Sequence, residues 1–131
     1  MTLVCKTIDS PLGPMLLAAS SQGLSGLWFL GQRHMPEHQP WARVNSQRWI
    51  DQAQAEIHAY FNGQLQAFAT PRHAPWGTPF QLRVWEALTT IAWGSTISYG
   101  ALAQQLKQPN AVRAVGSAVG RNPWSIMVPC H

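Results

Sequence analysis

The residues most able to do chemistry stand at the end of the printed sequence, where a cysteine is followed by a histidine. Cys130 and His131 close the stretch GRNPWSIMVPCH, residues 120–131. Taken alone, a cysteine is more often a small buried side chain than a nucleophile. A free thiol, with a pKa of about 8.5, is mostly protonated at neutral pH, and a nearby imidazole favours the reactive thiolate. The pair therefore predicts nucleophilic chemistry. Because adjacent side chains of extended backbone point to opposite faces, we expect His131 to act on Cys130 through a water molecule.

Three predicted helices precede this pair and must position it. The stretch PFQLRVWEALTTI begins at Pro79 and places an apolar residue on one helical face at each turn, namely Phe80, Val84, Leu88 and Ile91. Ser98 is expected to cap a second helix over YGALAQQLK, and Asn110 to cap a third over AVRAVGSAVG. Two short helices joined by about two residues predict a helix-turn-helix.

The third helix has two contrasting faces. Val112, Val115 and Val119 are expected to pack inward. The opposite face carries two cations among small residues, which would let a phosphate chain approach: Arg113, Ala114, Ser117 and Arg121, with Gly116 and Gly120 at the margins. Asn110 and the free N–H groups of the first turn could also hold a phosphate. Small residues serve close helix–helix contacts too, so that alternative stays open.

Composition and charge bound the class of protein. With 46% hydrophobic and 11% charged residues among 131, the chain should form a packed core. Its net charge is +4, and most of the excess lies in residues 76–131. That half contains four basic residues, Arg83, Lys107, Arg113 and Arg121, and one acidic residue, Glu86. A basic half favours a polyanionic partner such as nucleic acid. No signal-peptide pattern or membrane-length apolar run appears, so we expect a cytoplasmic protein whose two distant cysteines are reduced.

The first half of the chain predicts a small α+β unit. The runs LVCKTI, MLLAAS and LSGLWFL, separated by Gly and Pro, predict an antiparallel meander. Residues 31–45 are expected to form a loop, and Ser46 to cap a helix that ends near Phe61. Residues 64–78 look like a linker. We therefore predict two domains, residues 1–75 with the linker and residues 76–131.

Three motifs in order, ISYGALA, AVRAVGSAVGRNP and VPCH, resemble the O6-alkylguanine-DNA alkyltransferases over residues 79–131, and DSPLG adds weaker support in the first half. The resemblance implies an α+β fold in which a ribonuclease-H-like domain with a three-stranded antiparallel sheet precedes a winged helix-turn-helix domain. It implies irreversible, single-turnover transfer of an alkyl group from O6-alkylguanine in double-stranded DNA to Cys130, with O4-alkylthymine as a second candidate substrate. It implies no cofactor, and a monomer whose second helix of the helix-turn-helix enters the minor groove.

The resemblance also implies a role for each site residue. Cys130 would accept the alkyl group, with His131 as its base through water. Asn122 would brace the active-site turn. Tyr99 would assist nucleotide flipping and donate a proton to guanine, while Arg113 would fill the gap left in the duplex.

Two departures from the family pattern give further expectations. Family members continue past Pro-Cys-His with an arginine, a glycine-containing loop and a helix that carries a glutamate, so we expect the chain to be C-terminally incomplete and its thiol to react slowly. Zinc is not expected: Cys5 lies too close to DSPLG to match the ligand pattern of zinc-binding relatives. Pro36 separates His34 from His38, which argues against their sharing a helical face.

Other functions remain open. An alkyltransferase-like protein, or an inactive fragment, would recognise alkylated DNA without accepting the group, although such proteins typically carry tryptophan where this chain has Cys130. A helix-turn-helix regulator would explain the helices and the charge but not VPCH after GRNP. A cysteine hydrolase is the weakest alternative, because no motif for a distant catalytic histidine or for an oxyanion hole is evident in the sequence.

Overall fold

The computed structural model describes residues 2–32, 35–38, 40–65, 67–91 and 95–128. Its contacts fall into two compact units. The first unit comprises residues 1–75 together with 123–127, and the second comprises residues 76–122 with 128–131. The domain boundary predicted after residue 75 stays a prediction.

An antiparallel meander forms the centre of the first unit, as the sequence predicted. Strands β1 (Val4–Ile8), β2 (Met15–Ser20) and β3 (Gly23–Phe29) pair in sequence order. Every residue of β2 is buried, as is all of β3 except its last residue. The register slips by one residue between Ala18 and Ala19, which leaves Ser25 as the extra residue of a bulge in β3.

A fourth strand corrects the three-stranded sheet and part of the loop predicted over residues 31–45. Strand β4 (Ala42–Arg43) pairs in parallel with Val4 and Cys5 of β1, giving the order β3-β2-β1-β4. Both residues of β4 are exposed, and a strand of two residues is too short to show the alternation of apolar and polar residues that predicts a strand. Their pairing depends on a partner far away in the chain, so local sequence could not indicate it.

Two aromatic rings cover one cluster of the core. Trp28 packs with Cys5, Leu16 and Ala18, and its ring stacks on Trp41 with centroids 5.9 Å apart. Gly26 is required for this packing, because a Cβ there would lie 1.9 Å from the Trp28 ring. The absent side chain at residue 26 therefore makes the space for the largest residue of β3.

Helix α1 (Arg48–Phe61) contacts strands β1, β2 and β3 and buries Ile50, Ala53 and Ile57. Its N-cap is Gln47 rather than the predicted Ser46: the Gln47 side chain accepts hydrogen bonds from the backbone N–H groups of residues 49 and 50. The Ser46 hydroxyl instead donates to the carboxylate of Asp51. Serine is the more usual cap, but here the Ser46 hydroxyl is engaged by Asp51 while the Gln47 amide oxygen reaches two backbone N–H groups.

The second unit contains three helices: α2 (Pro79–Leu88), α3 (Tyr99–Gln105) and α4 (Val112–Gly120). Thr78 and Gln81 form a reciprocal capping box at the start of α2. Ser98 caps α3 as predicted, since its hydroxyl accepts from the N–H of Ala101 at 3.0 Å. Residues 106–111 separate α3 from α4, a longer connection than predicted, and Ile91 lies beyond the end of α2.

After α4 the chain contributes a short segment, residues 123–127, to the first unit. The N–H of Leu27 donates to the carbonyl of Pro123 at 2.7 Å, and the N–H of Ser125 donates to the carbonyl of Leu27 at 3.0 Å. The indole of Trp124 donates to the carbonyl of Leu24 at 2.9 Å. This segment therefore covers part of the outer edge of β3, whose backbone groups would otherwise need other partners.

Glu56 of α1 holds the returning chain at residues 69 and 70, and this contact predicts a pH-dependent contribution to stability. The carboxylate accepts from the Thr70 hydroxyl at 2.6 Å and from the N–H groups of Ala69 and Thr70. Burial alone would raise the pKa of Glu56, but these hydrogen bonds and one from Gln52 bring it below its ordinary value near 4.5. The stabilisation is therefore complete above pH 4.5 and is lost as pH falls through the lowered pKa.

We expect Glu56→Gln to lower the free energy of unfolding at neutral pH, because the amide has one acceptor oxygen where the carboxylate has two. The site is partly exposed, so the loss should be roughly 1 kcal/mol. Denaturant unfolding at several pH values checks this. The difference from wild type should shrink below pH 4.5. The exposed Glu37→Gln serves as a control and should change stability little at any pH. A pH-independent loss in Glu56→Gln would contradict this account.

Candidate DNA-binding surface and active-site turn

Helix α4 has one buried and one exposed face. Val115, Ala118 and Val119 are buried, whereas Val112 is 39% exposed, so its predicted inward packing is wrong. The inward residues are spaced by three and four positions, which brings them onto one side of a helix. Val112 stands in the first turn, before that stripe begins.

The predicted outward face is confirmed as exposed. The exposed residues are Arg113, Ala114, Ser117, Gly120 and Arg121. Arg113 and Ser117 are four residues apart, as are Ser117 and Arg121, so they share a side of the helix. The surface defined by Arg113, Ala114, Gly116, Ser117 and Arg121, here the α4 surface, combines cations with short side chains.

The start of α4 differs from the prediction. Ala111, not Asn110, is the N-cap, and no side chain accepts a hydrogen bond from the first turn of this helix. Asn110 is exposed in the preceding turn, where the N–H of Ala111 donates to the carbonyl of Gln108. The first-turn N–H groups therefore lack the side-chain acceptor that usually satisfies them.

Tyr99, the first residue of α3, lies against α4. A Cβ added to Gly116 would stand 3.1 Å from Cε2 and 3.2 Å from Cδ2 of the Tyr99 ring. Tyr99 is 45% exposed, so one part of the side chain contacts Gly116 while the rest faces solvent. The structure thus brings together two predicted site residues, and glycine is what allows the ring to approach.

Two side-chain hydrogen bonds fix the far end of α4 and the chain beyond it. The indole of Trp85 donates to the carbonyl of Ala118 at 2.8 Å in the helix's last turn. The side-chain amide of Asn122 donates to the carbonyl of Val128 at 2.8 Å. Asn122 therefore ties together the two ends of the segment that includes residues 123–127. Its predicted role in bracing the active-site turn remains a prediction.

The predicted acceptor Cys130 and its neighbour His131 lie outside the described residues, so their roles remain predictions. The described thiol, Cys5, is free and fully buried. Burial raises the pKa of the Cys5 thiol, an effect that Arg43 partly offsets. A buried thiol with a raised pKa is a poor nucleophile.

The histidines considered as zinc ligands from the sequence can be compared with the described part of the chain. The described residues include no group of three or more His, Cys, Asp or Glu side chains that could hold a metal ion. His38 accepts a hydrogen bond from Arg43, and His34 lies outside the described residues. Among the helices of the described chain, none is long and apolar enough to cross a lipid bilayer.

Family models match both parts of the chain. Residues 3–72 match the ribonuclease-like domain of 6-O-methylguanine DNA methyltransferase, and residues 79–131 match the DNA-binding domain of the same family. A methylated-DNA–protein-cysteine methyltransferase of Mycobacterium leprae is 43% identical over 97% of this chain and 75% of its own length. A protein of the same name from Methanosarcina barkeri is 41% identical over 95% of this chain and 77% of its own.

Solved structures agree with these matches. The O6-methylguanine methyltransferase of Mycobacterium tuberculosis superposes with a TM-score of 0.87 at 42% identity, over 99% of this chain and 77% of that one. The OGT of the same organism in complex with DNA gives a TM-score of 0.86 at 42% identity, over 97% and 75%. The fold is thus the α+β fold of DNA alkyltransferases. The chain belongs to the 6-O-methylguanine DNA methyltransferase family.

Sequence reasoning missed the residues that hold the chain before Cys130. Trp124 is 3% exposed, its indole bonds to β3, and the Arg72 guanidinium lies 5.8 Å from its ring centre. Ser125 donates a side-chain hydrogen bond to Gln32 at 3.1 Å. Four large apolar residues among the five of WSIMV were a usable signal, because such a stretch requires burial.

The contact between Gly116 and Tyr99 predicts a coupling that thermal unfolding can measure. In a helix interior, replacing glycine by alanine increases stability by up to about 1 kcal/mol, because alanine has the higher helix propensity. At Gly120 a Cβ meets nothing within 4 Å, so Gly120→Ala should stabilise the protein, by less than that amount at a helix end. At Gly116 the gain should be offset by displacement of the Tyr99 ring.

A double-mutant cycle isolates this effect. In a Tyr99→Ala background, Gly116→Ala should recover its full stabilisation, while the effect of Gly120→Ala should not change. Equal effects of Gly116→Ala in both backgrounds would show that the ring yields without cost.

Proposed function

We propose that the chain repairs alkylated DNA by transferring the alkyl group of O6-alkylguanine to the Sγ of Cys130, once per molecule. The observation that carries this proposal is the match of both parts of the chain to the two domains of one alkyltransferase family. Named relatives at 41–44% identity have the activity in their names. The partner is double-stranded DNA, in keeping with the DNA complex of a structural relative.

The reaction balances with groups of this chain. The Cys130 thiolate attacks the alkyl carbon, a C–S bond forms and the bond from carbon to the guanine O6 breaks. Guanine leaves with the electron pair and takes up a proton, for which we propose the Tyr99 hydroxyl as donor. His131 removes the thiol proton through water. A thioether is not hydrolysed under mild conditions, so each molecule reacts once.

The α4 surface supports the mode of DNA binding. A base atom inside a duplex becomes reachable only when its nucleotide is extruded, and extrusion leaves a gap in the stack. Exposed Arg113 is long enough to occupy such a gap, and the short neighbours Ala114 and Gly116 allow the backbone to approach. We propose that exposed Asn110 and the uncapped first turn of α4 bind phosphate nearby.

The location of the protein stays a prediction. Repair of DNA and the reduced state of Cys5 both fit the cytoplasm. A monomer and the absence of a cofactor also remain predictions from the resemblance.

Alkyl transfer to Cys130 is tested by mixing the protein with duplex DNA that contains O6-methylguanine and measuring intact and peptide masses. We expect one added methyl group, roughly 14 Da, on the peptide that contains Cys130, with at most one group per protein. Cys130→Ser should abolish the adduct and retain DNA binding. The matched control Cys5→Ala should still accept the group, because the Cys5 thiol is buried.

Two results would point elsewhere. An adduct on another residue, or several turnovers per molecule, would exclude the proposed mechanism. Selective binding of alkylated duplex without any adduct would favour a protein that recognises the lesion but does not accept the group.

A second prediction separates insertion into the duplex from ordinary phosphate contact. Arg113→Ala should slow repair of duplex DNA at least about 100-fold, yet change the reaction with free O6-methylguanine base little, because a free base needs no extrusion. Arg121→Ala should mainly reduce DNA affinity and make the negative slope of log affinity against log salt shallower by about 1. Rates on both substrates and salt titrations provide the measurements. Equal losses on duplex and free base in Arg113→Ala would instead assign Arg113 to folding or to the pocket.

A further inference from the structure

Ile126 has a backbone conformation that its side chain disfavours. Its φ is 65°, and the other described residue outside glycine with positive φ is Lys107, at 61°. Lys107 follows the end of α3, where a left-handed residue commonly ends a helix. Ile126 has no such explanation: it is β-branched, and a β-branched residue with positive φ is a clear outlier.

A hydrogen bond closes a very tight turn around Ile126. The N–H of Met127 donates to the carbonyl of Ser125 at 2.8 Å, which makes residues 125–127 a three-residue γ-turn. Positive φ at the central residue marks the rare, strained form of this turn. Such strain persists only where the surroundings determine the conformation.

The residues on both sides of the turn are held. Before it, Ser125 donates its N–H to Leu27 of β3 and its hydroxyl to Gln32. After it, Met127 and Val128 are buried, and the Val128 carbonyl accepts from Asn122. The positive φ of Ile126 and the hydrogen bond from Met127 to Ser125 show that the chain changes direction at Ile126, between residues that are held.

We propose that the left-handed turn at Ile126, held by these flanking contacts, sets the direction of the backbone up to Val128, so that Ile126 is a positioning residue for alkyl transfer. The proposal rests on the proposed function, because it assigns Cys130 as the acceptor. Cys130 follows Ile126 by four residues. A change of backbone direction at residue 126 must be compensated within that short stretch, or the thiol is displaced from the alkyl carbon.

Three substitutions at Ile126 test the turn by changing which φ values the residue can adopt. Glycine adopts positive φ without strain, alanine retains the strain with a shorter side chain, and proline has φ fixed near −65°. We expect Ile126→Gly to unfold at a temperature a few degrees above Ile126→Ala. We expect the transfer rate constant at saturating substrate to be within about 3-fold of wild type for glycine. The rate constant of Ile126→Ala should be lower than that of Ile126→Gly by about 5-fold or more. The rate constant of Ile126→Pro should be at least about 100-fold below that of wild type.

Two further readouts distinguish positioning from other roles. The loss should be the same on methylated duplex and on free O6-methylguanine base, because the turn acts on the thiol rather than on nucleotide extrusion. The DNA concentration that gives half-maximal rate should stay unchanged. Lys107→Gly and Lys107→Ala form the matched control: glycine should again be the more stable of the two, but their transfer rates should be equal.

Equal stability and equal transfer rates of Ile126→Gly and Ile126→Ala would overturn the proposal, as would a proline variant that transfers as fast as the glycine variant. If proline prevents folding, the glycine and alanine pair decides. If the wild-type chain accepts no alkyl group, the proposed function fails, whereas the stability order of the pair still decides whether the turn is strained.

Discussion

The pairing of residues 123–125 with strand β3 is the contact on which the turn around Ile126 depends. Leu27 uses both its N–H and its carbonyl to bind this segment, and the Trp124 indole adds a third hydrogen bond to the strand. Backbone hydrogen bonds to the edge of a strand have little freedom in direction, so the segment has a defined register on β3. The turn at Ile126 and the buried Met127 come directly after the residues held in that register.

Much of the first unit could be predicted because its signals are local. Gly and Pro mark the turns between β1, β2 and β3, and apolar spacing marks α1. The errors arose where the outcome depends on partners distant in sequence or on competition between neighbours. β4 forms only because β1 offers an edge, and Gln47 replaced Ser46 as a cap because its longer side chain reaches two N–H groups.

The candidate site was predictable in its composition but not in its geometry. The exposed cations and short side chains of α4 could be inferred from spacing, and Ser98 correctly marked the start of α3. The inward position of Val112 was wrong because a regular stripe does not show where a helix begins. The positive φ of Ile126 could not be predicted, since the residue type argues against it and only the flanking contacts impose it.

The contacts that stabilise helix α4 are made by its buried side. The residues of its other side can therefore have low helix propensity. Val115, Ala118 and Val119 supply the apolar contacts, and Trp85 satisfies a carbonyl of the last turn. The exposed side, by contrast, gives up helix stability: it has Gly116 in its interior and no side-chain cap at its start. Because Gly116 admits the Tyr99 ring, its low helix propensity has a direct structural use. The glycine that weakens α4 as an isolated helix is therefore also the residue that shapes its contact with α3.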